Sequence, residues 1–158
     1  MSSQPQTKHP LRLAVLGSGR GSNLRAILEA INTGTLPATV VTVGSDNPQA
    51  GILQIARDHR IPAHSIPEGP FKTKLTPEAE SALASYLADF KPDLIVLAGY
   101  MRMIKAPLLE TFPQRIINVH PSLLPAFPGL AAWEQALQAK VTETGCTIHF
   151  VDSGMDSG

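Results

Sequence analysis

The chain has 158 residues, 43% of them hydrophobic, and its 13 basic and 13 acidic residues give a formal net charge of zero. This length favours one domain with enough apolar material for a core, and the balanced charge argues against a nucleic-acid-binding surface, which would need a basic excess. Cys146 is the single cysteine, so an internal disulfide is excluded and a reducing compartment is weakly favoured.

The first ten residues are polar and contain no apolar segment of a secretory signal, and we expect them to be a disordered leader. Residues 11–158 form the single predicted domain. The longest apolar run, around "LIVLAGYM", is far shorter than a membrane-spanning helix. These features predict a soluble cytoplasmic protein without a membrane partner.

Strands and helices alternate from residue 11 onward. The predicted strands are Leu11–Gly17, Ala38–Gly44, Ala63–Ile66, Leu94–Ala98, Ile116–His120 and Cys146–Val151. The predicted helices are Asn23–Asn32, Gly51–Arg60, Pro77–Phe90, Lys105–Phe112 and Ala131–Ala139. This alternation predicts an α/β fold with a doubly wound, mostly parallel sheet and helices on both faces. Ligands of such sheets bind at the carboxyl ends of the strands.

A glycine-rich turn, "GSGRGSN", follows the first strand and opens the first helix. Glycines let the backbone approach a ligand closely, and a helix start offers N–H groups to an anion. The dinucleotide fingerprint fails because Ser22 stands where it needs glycine, and no Walker A lysine follows. A phosphate cradle of Gly21, Ser22 and Asn23 is favoured over a turn that only packs the helix. Asp46, after the second strand, leaves a nucleotide-ribose contact open as an alternative.

The clearest predicted helix is Pro77–Phe90. Thr76 precedes it and can accept a hydrogen bond from its first turn, and Pro77 suits that turn because proline lacks an N–H there. Glu78 and Glu80 place negative charge at the positive end of the helix dipole.

Two polar side chains interrupt the apolar strand Ile116–His120 at its carboxyl end, just before Pro121. Asn118 and His120 are two residues apart, so they lie on the same face of the strand. An amide and an imidazole at this edge can polarise a carbonyl and hold the oxyanion formed on attack. We therefore favour a functional pair over a core histidine that is satisfied by a backbone carbonyl.

Other catalytic patterns are weak or missing in this sequence. Cys146 begins an apolar strand, so we expect it in the core rather than as a nucleophile. No His-Glu-x-x-His or paired-cysteine pattern occurs, so no metal site is predicted. Asp152 and Asp156, after the last strand, could each orient His120 as a carboxylate does in an acid–base pair. Spacing alone does not choose between them, and ordinary turn acids remain the alternative.

Several stretches together resemble the phosphoribosylglycinamide formyltransferase family. They are "VLGSGRGSNL", "DNPQAGILQIA", "PDLIVLAGYMRMI", "RIINVHPSLLPAFPG", "EQAL" and "TGCTIHFVDSGMDSG", in family order from Leu13 to Gly158. Related folate formyltransferases and hydrolases share the "NVHPS" block, whereas the phosphate turn and "GCTIHFVD" make the resemblance specific. It implies transfer of a formyl group from 10-formyltetrahydrofolate, a co-substrate, to the amine of glycinamide ribonucleotide in purine biosynthesis, without a metal.

The resemblance also implies roles for individual residues. The family's catalytic positions match Asn118, His120 and Asp156. Its substrate-phosphate turn matches Gly21, Ser22 and Asn23. Its folate-binding positions match Lys74, Met101, Arg102, Met103, Ile104, Asn118, Val151 and Asp152, with simple packing as the alternative for the two methionines.

The sequence departs from the family pattern at two places. "GLAAWEQAL" has alanine and tryptophan where many members carry histidines, and the sequence ends at Gly158, where the family continues. We therefore expect a domain that lacks the family's C-terminal part, as a monomer or a homodimer. The alternatives are another 10-formyltetrahydrofolate enzyme, a folate-binding remnant without activity, and a nicotinamide oxidoreductase, which Ser22 disfavours. Among the other formyl enzymes, a hydrolase fits better than a tRNA formyltransferase, because the neutral charge speaks against tRNA.

Overall fold

The computed structural model describes residues 9–154, so most of the predicted leader and all of residues 155–158 lie outside the described range. The strands are β1 (Leu11–Leu16), β2 (Ala38–Ser45), β3 (Ala63–Ser65), β4 (Leu94–Leu97), β5 (Ile116–His120) and β6 (Thr147–Phe150). The helices are α1 (Ser22–Asn32), α2 (Gly51–Asp58), α3 (Pro77–Asp89), α4 (Ala106–Thr111) and α5 (Ala132–Gln138). Every predicted element is present, with small differences at its ends.

The six strands form one sheet in the order β3-β2-β1-β4-β5-β6. All neighbours are parallel except β5 and β6, which are antiparallel. The predicted doubly wound, mostly parallel α/β fold is confirmed. The chain runs outward from β1 to β3 and returns to β4 on the other side of β1. A cleft is therefore expected beyond the carboxyl ends of β1 and β4, where the strand order reverses.

Each face of the sheet is covered by its own apolar core. Leu13 and Val15 of β1 pack on one side with residues of α1 and α2. Ala14 and Leu16 point to the other side, where residues of α3 and α4 cover them. This alternation follows from the two-residue period of a strand and explains the continuous apolar run of β1. None of the helices between residues 9 and 154 has the length and apolar character needed to cross a membrane.

Glu80 connects two helices through a buried carboxylate. Its residue is 2% exposed, and its Oε1 accepts a hydrogen bond of 2.7 Å from the backbone N–H of Lys105, directly before α4. Burial raises the pKa of Glu80, and backbone hydrogen bonds from Lys105 and Leu108 partly oppose that shift. The side chain therefore holds the start of α4 against α3, in addition to its favourable place in the first turn of α3.

The raised pKa of Glu80 predicts a pH-dependent stability difference between the wild type and Glu80→Gln. A raised folded-state pKa gives a stabilising contribution that is complete below the ordinary value of 4.5 and is lost as pH rises through the folded value. The unfolding free energy of the wild type should therefore fall relative to that of the glutamine variant above about pH 4.5. Urea denaturation of both proteins at several pH values below and above 4.5 measures this difference in unfolding free energy. A difference that does not change with pH would contradict the raised pKa.

Cys146 does not lie in the core, so that expectation is wrong. The residue is exposed and comes just before β6. Within residues 9–154, β6 is one of the two edge strands and pairs only with β5. Ile148 and Phe150 on one face of β6 are exposed as well. The expectation rested on the apolar strand that Cys146 begins, whereas this strand lies at an edge of the sheet and exposes one of its faces.

Candidate active site

Two neighbouring cavities open beyond the carboxyl ends of β1, β4 and β5. The larger, of about 250 Å³, lies between the segment 99–104, the end of β5 and the residues that follow β6. The smaller, of about 230 Å³, lies over the glycine-rich turn between β1 and α1. Gly99 and Met101 line both cavities. The two cavities thus share a wall at the expected switch point of the sheet.

Asn118 lies in the larger cavity beside a histidine that sequence analysis did not single out. The antiparallel register pairs Asn118 with His149 of β6, and Asn118 Nδ2 lies 3.4 Å from His149 Nε2. The His149 Nδ1 lies 3.0 Å from the backbone oxygen of Phe150. Because a carbonyl oxygen only accepts, Nδ1 is the donor in that contact, and in the tautomer with its proton at Nδ1 the Nε2 atom accepts from the amide. A neutral His149 in this tautomer would orient the Asn118 amide.

His120 is 3% exposed and lines the same cavity. Its Nε2 lies 2.8 Å from the backbone oxygen of Phe127, so Nε2 carries a proton. Protonation of the ring would add the second N–H at Nδ1. The side chain is thus bonded to a backbone carbonyl and also placed at the ligand edge, so the two interpretations of this histidine are compatible.

Hydrogen bonds from β6 fix the loop that carries Phe127. The Thr147 hydroxyl donates to the backbone oxygen of Ser122 at 2.7 Å and accepts from the backbone N–H of Leu124 at 3.0 Å. The buried Ser122 hydroxyl donates to the backbone oxygen of Ala126. Because these bonds determine the position of Phe127, they also determine the ring position of His120.

The carboxylates expected near His120 follow β6. Val151 and Asp152 line the larger cavity, and the backbone N–H of Gly154 donates to Asp152 Oδ1 at 2.8 Å. Asp156, the position matched to the family's catalytic carboxylate, lies outside the described residues. Across residues 9–154, no group of three or more histidine, cysteine or acidic side chains is arranged to hold a metal ion.

The predicted folate segment forms one side of the larger cavity. Met101, Arg102, Met103 and Ile104 all line it. The guanidinium of Arg102, however, is bonded to Asp46 and to the backbone oxygens of Phe71 and Lys74. The Nε and Nη1 atoms of Arg102 are therefore bonded within the protein.

Lys74 stands apart from the other predicted folate residues. It is not among the residues that line the cavity, and its Nζ lies 4.8 Å from the centroid of the Phe71 ring. Its backbone pairs with Met103 in an isolated parallel bridge. The loop of Lys74 is therefore fixed to the folate segment, while its ammonium group makes a cation–π contact on the exposed side.

Tyr100 lines the larger cavity and has a buried hydroxyl group. In the part of the chain that the structure describes, no group forms a hydrogen bond with this hydroxyl. Burial raises the pKa of Tyr100, and the negative charge of Asp46 raises it further. The residue packs against the core on the α3 and α4 side.

Replacing Tyr100 with phenylalanine should leave stability unchanged or raise it by about 1 kcal/mol. Removing a buried hydroxyl without a partner removes its desolvation cost and keeps the packing of the ring. Thermal or urea denaturation of the wild type and the variant measures the difference. A loss of more than about 1 kcal/mol would mean that the hydroxyl has a polar partner in the folded protein.

The predicted phosphate turn contains a position that requires glycine and leads into a helix start without a side-chain cap. Gly21 precedes α1 with φ at 83°, and a Cβ atom there would lie 2.9 Å from the Cα of Ile52. Only glycine fits this left-handed position and close approach. No side chain of the described residues caps α1, and Ser22 and Asn23 line the smaller cavity. The first-turn N–H groups of α1 therefore adjoin this cavity, and phosphate binding at the turn stays a prediction.

Comparison with known proteins decides the family. A family model described as formyl transferase matches residues 11–158. The chain belongs to the formyl transferase family. A phosphoribosylglycinamide formyltransferase of Bacillus subtilis is 40% identical over 147 residues, which cover 93% of this chain and 74% of that protein.

Two further relatives of this formyl transferase bear on its fold and extent. The crystal structure of glycinamide ribonucleotide transformylase 1 from Symbiobacterium toebii superposes with a TM-score of 0.89 at 43% identity, covering 99% of this chain and 73% of that one. The trifunctional purine biosynthetic protein adenosine-3 of Drosophila melanogaster is 44% identical over 149 residues, 93% of this chain. The match spans only 11% of the length of the fly protein.

Proposed function

We propose that this formyl transferase moves the formyl group of 10-formyltetrahydrofolate to the amine of glycinamide ribonucleotide. The observation that carries the proposal is the shared wall of the two cavities, formed by Gly99 and Met101. A folate in the larger cavity and a ribonucleotide phosphate in the smaller one would bring the formyl carbon and the amine together beside that wall. Relatives that carry this name support the choice of substrates.

Charge development on the formyl oxygen explains the polar groups at the end of β5. The amine nitrogen attacks the formyl carbon, a C–N bond forms, and the oxygen becomes negative. The second N–H of the Asn118 amide and the protonated ring of His120 would donate to this oxygen. The bond from the formyl carbon to N10 of the folate then breaks as N10 gains a proton and the former amine loses one. The products are tetrahydrofolate and the formylated ribonucleotide.

Three groups would support this pair without bonding the oxygen. His149 would orient the Asn118 amide by accepting at Nε2 in the tautomer with its proton at Nδ1. The Phe127 carbonyl holds the His120 ring. Asp156, by its motif position, would favour the imidazolium and help move the proton of the attacking amine, as an acidic neighbour does for a histidine. This division assigns the catalytic roles to Asn118, His120 and Asp156.

The two substrates would be held by different backbone segments. We assign the phosphate to Gly21, Ser22 and Asn23 at the start of α1. The pterin would lie against the segment 101–104 and the stretch after β6, including Val151 and Asp152. Lys74 would act only at the rim, where its positive charge suits the acidic tail of a folate.

Hydrolysis of 10-formyltetrahydrofolate is the second candidate, because the same oxyanion site serves attack by water. The phosphate-type turn beside the cavity favours transfer, since water needs no anion site. A folate-binding protein without activity is the third candidate.

We further propose that residues 11–158 form one catalytic domain that works in the cytoplasm as a monomer or a homodimer, without a metal and without nucleic-acid or membrane partners.

The test is to supply 10-formyltetrahydrofolate with and without glycinamide ribonucleotide and to quantify tetrahydrofolate, formate and formylated ribonucleotide. We expect tetrahydrofolate to appear only with the ribonucleotide and in equal amount to the formylated product. Formate released without the ribonucleotide would establish a hydrolase. Folate binding without either product would establish a binding protein.

A further inference from the structure

A buried ion pair lies behind the wall that the two cavities share. Asp46, directly after β2, and Arg102, in the folate segment, have side chains that are 10% and 6% exposed. Arg102 Nε donates to Asp46 Oδ2 at 2.7 Å. Two buried charges this close are costly to separate, because either partner alone would be left uncompensated in a poorly solvated site.

Ser18 connects this ion pair to the shared wall. Its hydroxyl donates to Asp46 Oδ1 at 2.5 Å and accepts from the backbone N–H of Met101 at 3.0 Å. The backbone N–H of Ser18 donates to the oxygen of Gly99 at 3.0 Å. Ser18 therefore fixes both residues that line the two cavities, and the carboxylate of Asp46 fixes the hydroxyl of Ser18.

Arg102 extends the same network to the loop beside the folate segment. Its Nη1 donates to the backbone oxygens of Phe71 and Lys74. One carboxylate thus orients the glycine-rich turn through Ser18 and the folate segment through Arg102. Each oxygen of Asp46 accepts one hydrogen bond from a protein group and has a further lone pair, so the ribose contact considered for this residue stays a prediction.

We propose that Asp46 is a positioning residue for formyl transfer, which sets the shared wall so that the two bound substrates meet in reactive geometry. The proposal rests on the proposed function. Asp46 touches neither substrate in this scheme and acts through Ser18 and Arg102. Its loss should therefore affect the step in which both substrates must be aligned, since a misplacement of about 1 Å can cost on the order of a hundredfold in rate.

Asp46→Asn tests this role because asparagine keeps the size of the side chain and removes its charge. We expect kcat to fall by about tenfold to a hundredfold, while the KM of each substrate changes by less than about threefold. The concentration of folded sites is determined by titration with a folate analogue, so that kcat refers to binding-competent protein. A merely structural role would reduce that concentration and leave kcat per site unchanged. Asp89→Asn, an exposed aspartate of α3, is the matched control.

Ser18→Ala provides a second variant that leaves the ion pair in place. This substitution should also lower kcat. In the double variant the fold-loss of kcat should be smaller than the product of the two single fold-losses, because both residues act through one hydrogen-bond chain. Hydrogen exchange at the Met101 amide should accelerate in both variants. If Asp46→Asn does not fold, Ser18→Ala carries the test alone.

The outcomes separate this inference from the proposed function. Normal kcat per site in Asp46→Asn, or in Ser18→Ala, would overturn the positioning role and leave the transfer reaction standing. Unchanged exchange at the Met101 amide would overturn it as well. Absence of transfer by the wild type would overturn the proposed function, and the positioning role with it.

Discussion

His120→Ala should lower the turnover of formyl transfer by about a hundredfold or more, the usual cost of losing one oxyanion donor. The ring lines the larger cavity, and its protonated form would supply an N–H to the formyl oxygen at the moment when charge develops there. Affinity for a folate analogue should change by only a few fold, because the segment 101–104 and the residues after β6 are untouched. Steady-state turnover and a direct binding titration measure the two quantities.

The histidine is buried, so stability must be measured alongside turnover. Loss of the ring and of its bond to Phe127 would cost some stability, and turnover is therefore expressed per folded site. His9→Ala, which removes an exposed histidine far along the chain from β5, is the control. A His120→Ala variant that turns over within a factor of a few of the wild type would remove this residue from the mechanism.

Local sequence periodicity was sufficient to place Asn118 and His120 together. Residues two apart in a strand share a face, and the alternation of strands and helices put that face at the ligand edge. The same reasoning missed His149, because its position opposite Asn118 depends on the antiparallel register of β5 and β6. The only local signal was a polar residue at an alternate position of "TIHF", and neither the direction nor the register of that strand can be read from its own residues.

The buried charges were hidden from sequence analysis for a related reason. Asp46 and Arg102 are 56 residues apart, and their pairing is visible only once β2 and the segment after β4 lie on either side of β1. The motif position of Arg102 predicts a folate contact and does not indicate its partner Asp46. The position of Glu80 in the sequence indicates only a favourable interaction with the helix dipole. Its hydrogen bond to the start of α4 depends on how α3 and α4 pack. The placement of Asn118 and His120 at the end of one strand was predictable, whereas the long-range pairing of charges was not.

The glycine-rich turn supplies the prediction that separates the two substrates. Ser22→Asp places a carboxylate in the first turn of α1, beside the smaller cavity. There it would repel the substrate phosphate and compete for the N–H groups at the helix start. We expect affinity for glycinamide ribonucleotide to fall by tenfold or more, equivalent to about 1.4 kcal/mol or more. Affinity for a folate analogue should change by less than about threefold, because Ser22 does not line the larger cavity.

The stability of the Ser22→Asp variant shows whether weaker ribonucleotide binding could result from unfolding. A negative charge in the first turn of a helix is favourable by about 0.3–1 kcal/mol, so the free energy of unfolding should stay level or rise slightly. Weaker ribonucleotide binding then cannot be attributed to unfolding. Ser22→Asn is the matched control, because it has nearly the same shape as aspartate and no charge. The difference between the two variants should shrink at high salt, since exposed charges are screened.

Titration calorimetry of both variants with each ligand, at low and at high salt, decides the role of the turn. A cradle for the phosphate requires that the aspartate variant loses ribonucleotide affinity selectively and that the asparagine variant keeps most of it. If aspartate weakens both ligands equally, the turn only packs α1 against the sheet, and the ribonucleotide must be held elsewhere. Because the tight packing at this turn falls on its glycines Gly17 and Gly21, and Ser22 and Asn23 are exposed beside the cavity, we expect the selective loss.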